Sequence, residues 1–213
     1  MIIAWLLDQA SAGLYAVGYD LPQQTLGLVL TIINTAAHPL AIRRLEHDGI
    51  EAASAQMRRN GELIMTFALT GAVALVALAS PLVELLVGGA FREGALEVFP
   101  WIAASAAIAG MKAFHFDIAF HLMRKSRWLV ITSFAAALTN IALNFLLIPL
   151  YGIVGASWAT LAAFAVGCLA SAALGRRVFP MPPVIPLLIK SSSVALAMYV
   201  GVQLVTYLTL SPI

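Results

Sequence analysis

Charged residues are scarce in this sequence, which excludes an ordinary soluble protein. Of the 213 residues, 10% are charged and 62% are hydrophobic, whereas soluble domains carry roughly 25% charged residues. The mean hydropathy of +0.94 points the same way, and the sequence predicts an integral membrane protein embedded in the lipid bilayer. The net charge is only +2 and the cations lie mainly in short loops, so we predict no binding of nucleic acid.

Cysteine and recognisable catalytic motifs are lacking as well. Cys168 is the single cysteine, which excludes a disulfide within the chain. The loops contain no nucleotide-binding, phosphate-loop or nucleophile motif. The stretch "KAFHFDIAFH", residues 112–121, holds two histidines and an aspartate, but His115 and Asp117 point to different sides of a helix. We therefore predict no metal site, no cofactor and no enzymatic activity.

Long apolar runs, in contrast, recur along the chain. A helix needs about 20 apolar residues to cross a bilayer. Complete spans are predicted at residues 15–38, 63–87, 97–122, 128–148, 153–175 and 186–208. Tight turns or amphipathic or extended linkers separate them. The predicted fold class is all-α, a polytopic transmembrane helix bundle with six complete spans.

The positions of the cations predict the orientation. Arg43, Arg44, Arg58, Arg59, Arg124, Lys125, Arg127, Arg176, Arg177 and Lys190 all fall on one side of the predicted spans. Cytoplasmic loops carry the excess of lysine and arginine, so this side is predicted to be cytoplasmic and the C-terminus periplasmic. The N-terminal "MIIAWLLD" is too short to span and has no signal-peptide layout. We expect residues 1–7 to be the end of a truncated helix; a short periplasmic N-terminus is the alternative.

A polar stripe runs along one face of the first span. Its members are spaced like one side of a helix and are Asp20, Gln24, Gly27, Thr31, Asn34 and His38, with Gln23 at the border. A lipid-facing helix has no need of such a stripe. It predicts a water-filled cavity; interhelical hydrogen bonding in a packed bundle is the alternative.

The third span carries two further groups of polar residues. Lys112 and His115 share one face and are predicted to face the cavity near mid-membrane, with a buried ion pair of Lys112 to Asp20 or Asp117 as the alternative. A second line is predicted near the cytoplasmic end, a structural ion pair formed by Asp117, His121 and Arg124.

The fourth span places Asn140 and Asn144 one turn apart, on a face shared with Ser133 and Ala137. These amides either line the same cavity or bond to a neighbouring helix, and the sequence favours neither.

Several motifs resemble one known family. "ALNFLLIPLYGIVGASWATL", residues 142–161, resembles the signature of polysaccharide flippases of the multidrug/oligosaccharidyl-lipid/polysaccharide exporter superfamily. "AGLYAVGYDLPQQ" with the later "AAHPLAIRRLEHDG" is similar to the segment after their seventh helix, and "PLVELLVGGAFREGALEVFPWIA" resembles the following pair. The resemblance covers most of residues 8–176.

This resemblance implies a transporter of two helical lobes around a central cavity, working by alternating access. Residues 1–177 would be part of the C-terminal, second lobe, from the end of helix seven to helix twelve, and residues 178–213 a proline-rich linker with one additional transmembrane helix. The N-terminal lobe is missing, so we expect the isolated fragment to be inactive.

The substrate implied by the resemblance is an undecaprenyl-pyrophosphate-linked oligosaccharide. It would be flipped from the cytoplasmic to the periplasmic leaflet of a bacterial inner membrane, for surface polysaccharide or lipopolysaccharide biosynthesis. Lys112 would bind its phosphates, and the stripe on the first span would form hydrogen bonds with its sugars. A cation-coupled multidrug exporter of the same superfamily, or a membrane glycan polymerase or ligase, is the alternative function.

Overall fold

The computed structural model describes residues 2–210, with side chains for residues 2–204. Within these residues the chain is helical and contains no strand, which confirms the predicted all-α class. The elements are α1 (Ile2–Leu6), α2 (Gln9–Asp48), α3 (Ile50–Ala77), α4 (Ala79–Leu86), a 3₁₀ turn (Gly89–Phe91), α5 (Arg92–Met111), a π-helical segment (Lys112–Phe116), α6 (Ile118–Leu122), α7 (Arg127–Val178) and α8 (Val184–Leu210). Met1 and residues 211–213, which belong to the predicted truncated helix and final segment, lie outside the described residues.

Five helical stretches in the described part of the chain are long and apolar enough to cross a membrane. They are residues 9–48, 50–77, 89–122, 127–178 and 184–204. The protein is therefore a multi-pass membrane protein. The sequence predicted six spans, and the difference arises in α7, where the fourth and fifth predicted spans form one helical element with a break in it.

The break in α7 lies at Gly152, whose φ of 57° and ψ of −137° are not helical. Residues at similar distances before and after the break approach each other. Asn140 Nδ2 lies 3.5 Å from Thr160 Oγ1, and a Cβ added at Gly167 would lie 3.0 Å from the Cβ of Ala136. The two arms of α7 therefore form an antiparallel hairpin, and each arm matches one predicted span.

Helix α2 is longer than its predicted span. Asp8 caps its N-terminus by accepting a hydrogen bond from the Ser11 backbone N–H at 2.6 Å, and the same bond lowers the pKa of the Asp8 carboxyl. Its 40 residues extend about 60 Å, roughly twice the thickness of the hydrocarbon core. The segment between the first two predicted spans is accordingly helical on both sides of a single turn residue, Gly49, with φ of 86°.

The second predicted span, residues 63–87, is shifted towards the N-terminus. Helix α3 crosses at Ile50–Ala77, and the separate helix α4 begins after Leu78. Pro81 explains the break, because proline cannot donate to the carbonyl four residues earlier and its ring clashes with that carbonyl.

Helix α5 lies at the centre of the bundle, where it packs against α2, α3 and α7. Within residues 89–122, 56% of an apolar stretch of 18 residues is buried, against 22% of the corresponding stretch of α2. Phe99 and Ile102 of α5 and Leu30 and Ile64 of its neighbours are fully buried. This burial orients α2 so that one of its faces packs on α5 while another remains exposed.

The loops rich in arginine lie at one end of the bundle, which we call the basic end. Ser54 Oγ donates to the Pro180 carbonyl at 2.6 Å, joining α3 to the linker before α8. An apolar cluster closes this end and contains Ala41, Ala53, Met57, Ile118, Ala119, Leu122 and Phe179. At the opposite end Arg92 donates to the carbonyl oxygens of Glu84 and Val87. The separation matches the predicted distribution of cations.

Replacing Gly152 by alanine should destabilise the hairpin. A Cβ at this φ and ψ adds strain of about 1–3 kcal/mol, and we expect a lower Tm of the protein in detergent or nanodiscs. Gly27→Ala is the matched control, since Gly27 sits inside α2 with nothing within 4 Å of an added Cβ and alanine favours a helix. Equal Tm values for the two variants would contradict the role of Gly152.

Candidate functional site

A cavity of about 650 Å³ lies between α1, α2, the end of α5, the π-helical segment and both arms of α7. This volume is in the range of small-molecule sites. Its polar lining consists of Tyr15, Tyr19, Lys112, Ser133, Asn140, Asn144 and Thr160. Three of these were predicted site residues, namely Lys112, Asn140 and Asn144, and Ser133 lies on the face predicted to carry the two asparagines.

Four of the hydroxyl and amide groups of this cavity form one hydrogen-bonded line. Tyr15 OH and Thr160 Oγ1 are 2.9 Å apart, Asn140 Nδ2 lies 3.5 Å from the same Thr160 oxygen, and Asn144 Nδ2 donates to Asn140 Oδ1 at 2.9 Å. The two arms of α7 and helix α2 are thus joined across the cavity. The asparagines therefore do both things that the sequence left open: they line a cavity and bond to neighbouring groups.

Tyr15, Tyr19 and Thr160 were not identified from the sequence as site residues. The two tyrosine rings stack with centroids 5.7 Å apart. The sequence did contain a signal, because their i, i+4 spacing puts both tyrosines on one helix face. The polar stripe, from which the cavity was predicted, lies on another side of α2.

Lys112 forms a buried ion pair with Asp117, one of the two alternatives considered for it. Lys112 Nζ lies 2.7 Å from Asp117 Oδ2, and Ser171 Oγ donates to Asp117 Oδ1 at 2.6 Å. The two residues are 9% and 7% exposed. Lys112 also lines the large cavity, so the pair connects the cavity to the arm of α7 that carries Ser171.

The π-helical segment explains this pairing. Residues five apart on a regular α-helix point about 140° away from each other. Here the Asp117 N–H donates to the Lys112 carbonyl at 2.9 Å, an i→i+5 turn that places the two residues above one another. On the regular helix predicted from the sequence, Asp117 would lie on a different side from Lys112.

The predicted ion pair of Asp117 with His121 and Arg124 is therefore not the arrangement found. Asp117 is held by Lys112 and Ser171 instead. His121 contacts His38 through an edge-to-face ring contact with centroids 6.0 Å apart, and Arg124, with φ of 53°, lies in the turn that ends α6.

His38, His115 and Asn34 line a second, small cavity rather than the large one. Met57, Asn60, Phe114 and Ile118 complete its lining. His115 is 1% exposed, and its ring lies so close to Gly61 that a Cβ added there would be 2.5 Å from His115 Cε1. The structure thus separates Lys112 from His115, which the sequence placed together.

The other members of the α2 stripe do not line the large cavity either. Asp20 lines a cleft beside the large cavity, and Tyr15 and Tyr19 line both the cleft and the cavity. Gln24 and Thr31 are exposed, and the Thr31 hydroxyl donates to the Gly27 carbonyl of its own helix at 2.7 Å. Gln23 at the border donates to Ser105 at 3.3 Å. Within the described residues the stripe is a surface of α2, not one continuous cavity wall.

The fold and the site define a multi-pass helical membrane protein whose large cavity carries polar and aromatic side chains. Comparison with protein families gives a match to the family described as polysaccharide biosynthesis protein, over residues 1–95. This match supports the predicted resemblance to a polysaccharide flippase-type family over that part of the chain. The comparisons with curated proteins and with solved structures gave no match.

Removing one partner of the buried pair should destabilise the protein more than removing both. Lys112→Met leaves the Asp117 carboxylate buried without its cation, and we expect a loss of about 3–5 kcal/mol, measured as a fall in Tm. The double variant Lys112→Met/Asp117→Leu should recover most of this loss, because an apolar pair carries no desolvation penalty. A double variant as unstable as the single one would contradict the ion pair.

Proposed function

We propose that this protein moves a lipid-linked oligosaccharide from the cytoplasmic to the periplasmic leaflet of a bacterial inner membrane, for surface polysaccharide or lipopolysaccharide biosynthesis. The observation that carries the proposal is the large cavity, which combines one ammonium group with hydroxyls, amides and stacked aromatic rings inside a membrane bundle. The protein acts as a transporter by alternating access rather than as an enzyme, and it handles an undecaprenyl-pyrophosphate-linked sugar chain.

The cavity lining suits a sugar chain. Hydroxyl and amide side chains both donate and accept hydrogen bonds, as sugar hydroxyls do, and Tyr15 and Tyr19 add aromatic faces. The bond between Tyr15 and Thr160 closes the cavity between α2 and α7. A sugar hydroxyl can replace either partner of this bond, so entry of the substrate need not leave a buried polar group unpaired.

Lys112 suits the pyrophosphate. An ammonium group has three N–H donors, and Asp117 Oδ2 accepts from Lys112 Nζ at 2.7 Å. Further donors remain for phosphate oxygens at the cavity wall. Asp117 and Ser171 orient the lysine, and the Asp117 carboxylate balances its charge at this depth. The polyprenyl tail stays in the lipid.

The transport role of Lys112 can be tested in cells that lack the gene, complemented with wild-type or variant protein. We expect Lys112→Met/Asp117→Leu to lower surface polysaccharide roughly tenfold or more, since a hydrogen bond to a charged group is worth about 1.5–3 kcal/mol, and lipid-linked oligosaccharide should accumulate. Protein level is followed by immunoblot.

The matched control is Thr66→Val/Ser191→Ala, which removes a hydroxyl contact of 3.0 Å between α3 and α8 away from the cavity and should preserve surface polysaccharide. Wild-type polysaccharide from the charge-free variant, at equal protein level, would remove Lys112 from the mechanism. Normal polysaccharide together with raised drug susceptibility in the deletion strain would instead favour a multidrug exporter.

The proposed orientation has the basic end in the cytoplasm. Single cysteines introduced by Gly88→Cys and by Ser126→Cys, each in a Cys168→Ser background, mark the two ends. A membrane-impermeant maleimide should label the first from the periplasm and the second only after the inner membrane is permeabilised. The reverse labelling pattern would overturn the orientation.

A further inference from the structure

The small cavity beside the large one contains two histidine nitrogens that lack a partner. In the described part of the chain, neither His38 Nε2 nor His115 Nε2 has a hydrogen bond, although both atoms are buried. A buried polar atom without a partner costs about 1–3 kcal/mol. Both residues line the same cavity, so one bound molecule can satisfy both nitrogens.

The size of this cavity identifies that molecule. Its volume is about 10 Å³, which is close to the space of one water molecule. Asn34 and Asn60 bring amide groups to the lining. Asn60 Nδ2 donates to the Ala37 carbonyl at 2.8 Å, and Asn60 Oδ1 accepts from Gln56 Nε2 at 2.9 Å, which fixes this side chain in the cavity wall.

We propose that one water molecule bridges His38 Nε2 and His115 Nε2, and that this bridged pair is a proton-binding site. A hydronium ion entering from the basic end gives its proton to one imidazole nitrogen and leaves a water molecule behind. That water donates to the second, neutral nitrogen. The pair therefore holds one proton and no metal, and each of the three partners keeps its hydrogen bonds.

The surroundings of the pair contain few other charges. From α6, His121 contacts the ring of His38. On the π-helical segment and directly after it, Lys112 and Asp117 neutralise each other. Helix α3 contributes the uncharged Met57 and Asn60 to the lining, and α7 contributes no residue to it. Apart from His121, the pair is thus the group at this site that can change its charge.

The position of His115 connects the site to the large cavity. His115 and Lys112 belong to the same five-residue π-helical segment, so a proton on His115 adds a second positive charge to the segment that carries Lys112. Use of this charge to drive transport rests on the proposed function. Binding of the proton does not depend on it.

The test is nuclear magnetic resonance of the full chain in nanodiscs, with the four histidines labelled with ¹⁵N and assigned by single variants. We expect a cross peak between water and the His115 side chain. We also expect His38→Gln to move the midpoint of the His115 titration by about 1 pH unit, as for coupled sites. His47→Gln, at an exposed position on α2, is the control and should leave that midpoint unchanged.

An unchanged His115 midpoint in His38→Gln would overturn the shared proton site. Asn34→Leu gives a second measurement, because it places an apolar side chain in the lining and should remove the water cross peak; persistence of that peak would overturn the bridging water. The proposed function is tested separately, through Lys112. A shifted His115 midpoint together with wild-type surface polysaccharide in the His38→Gln strain would support the proton site and refute its use in driving transport.

Discussion

The arrangement around the large cavity depends on the ion pair between Lys112 and Asp117. Two charges at membrane depth are costly unless they are paired and hydrogen-bonded, and the 2.7 Å contact together with the Ser171 hydroxyl meets both conditions. The π-helical turn at residues 112–116 makes the pair possible. The same turn directs Lys112 to the cavity and His115 to the opposite side, against α3, so one local irregularity creates two separate polar sites.

The cavity itself is assembled from elements that are distant in the sequence. Tyr15 of α2 contacts Thr160 of the second arm of α7, while Lys112 comes from the segment after α5. Helix α5 holds these elements in place, because its buried face contacts α2, α3 and α7. Small residues permit the close contact, as at Gly61, where the His115 ring occupies the space of a side chain.

Apolar periodicity and turn residues predicted much of the fold, but they predicted only part of the site. The predicted spans at residues 128–148 and 153–175 placed the turn of the α7 hairpin between them, and the distribution of arginine predicted the basic end. The pairing of Lys112 with Asp117 could be predicted only as an alternative to a lysine that faces the cavity, because a π-helical turn has no periodic signature in the sequence. Asp20 and Thr31 share a helical face, but neighbouring helices decide which part of such a face becomes a cavity.

The α7 hairpin also has a consequence for how the protein is made. Its two arms meet at a turn without a polar loop, so no hydrophilic segment has to be carried across the membrane between them. Their contacts are local in sequence, as between Asn140 and Thr160, and local contacts form quickly. The arms can therefore enter the bilayer together as one preformed unit, with their amides already paired before α2 and α5 complete the chamber.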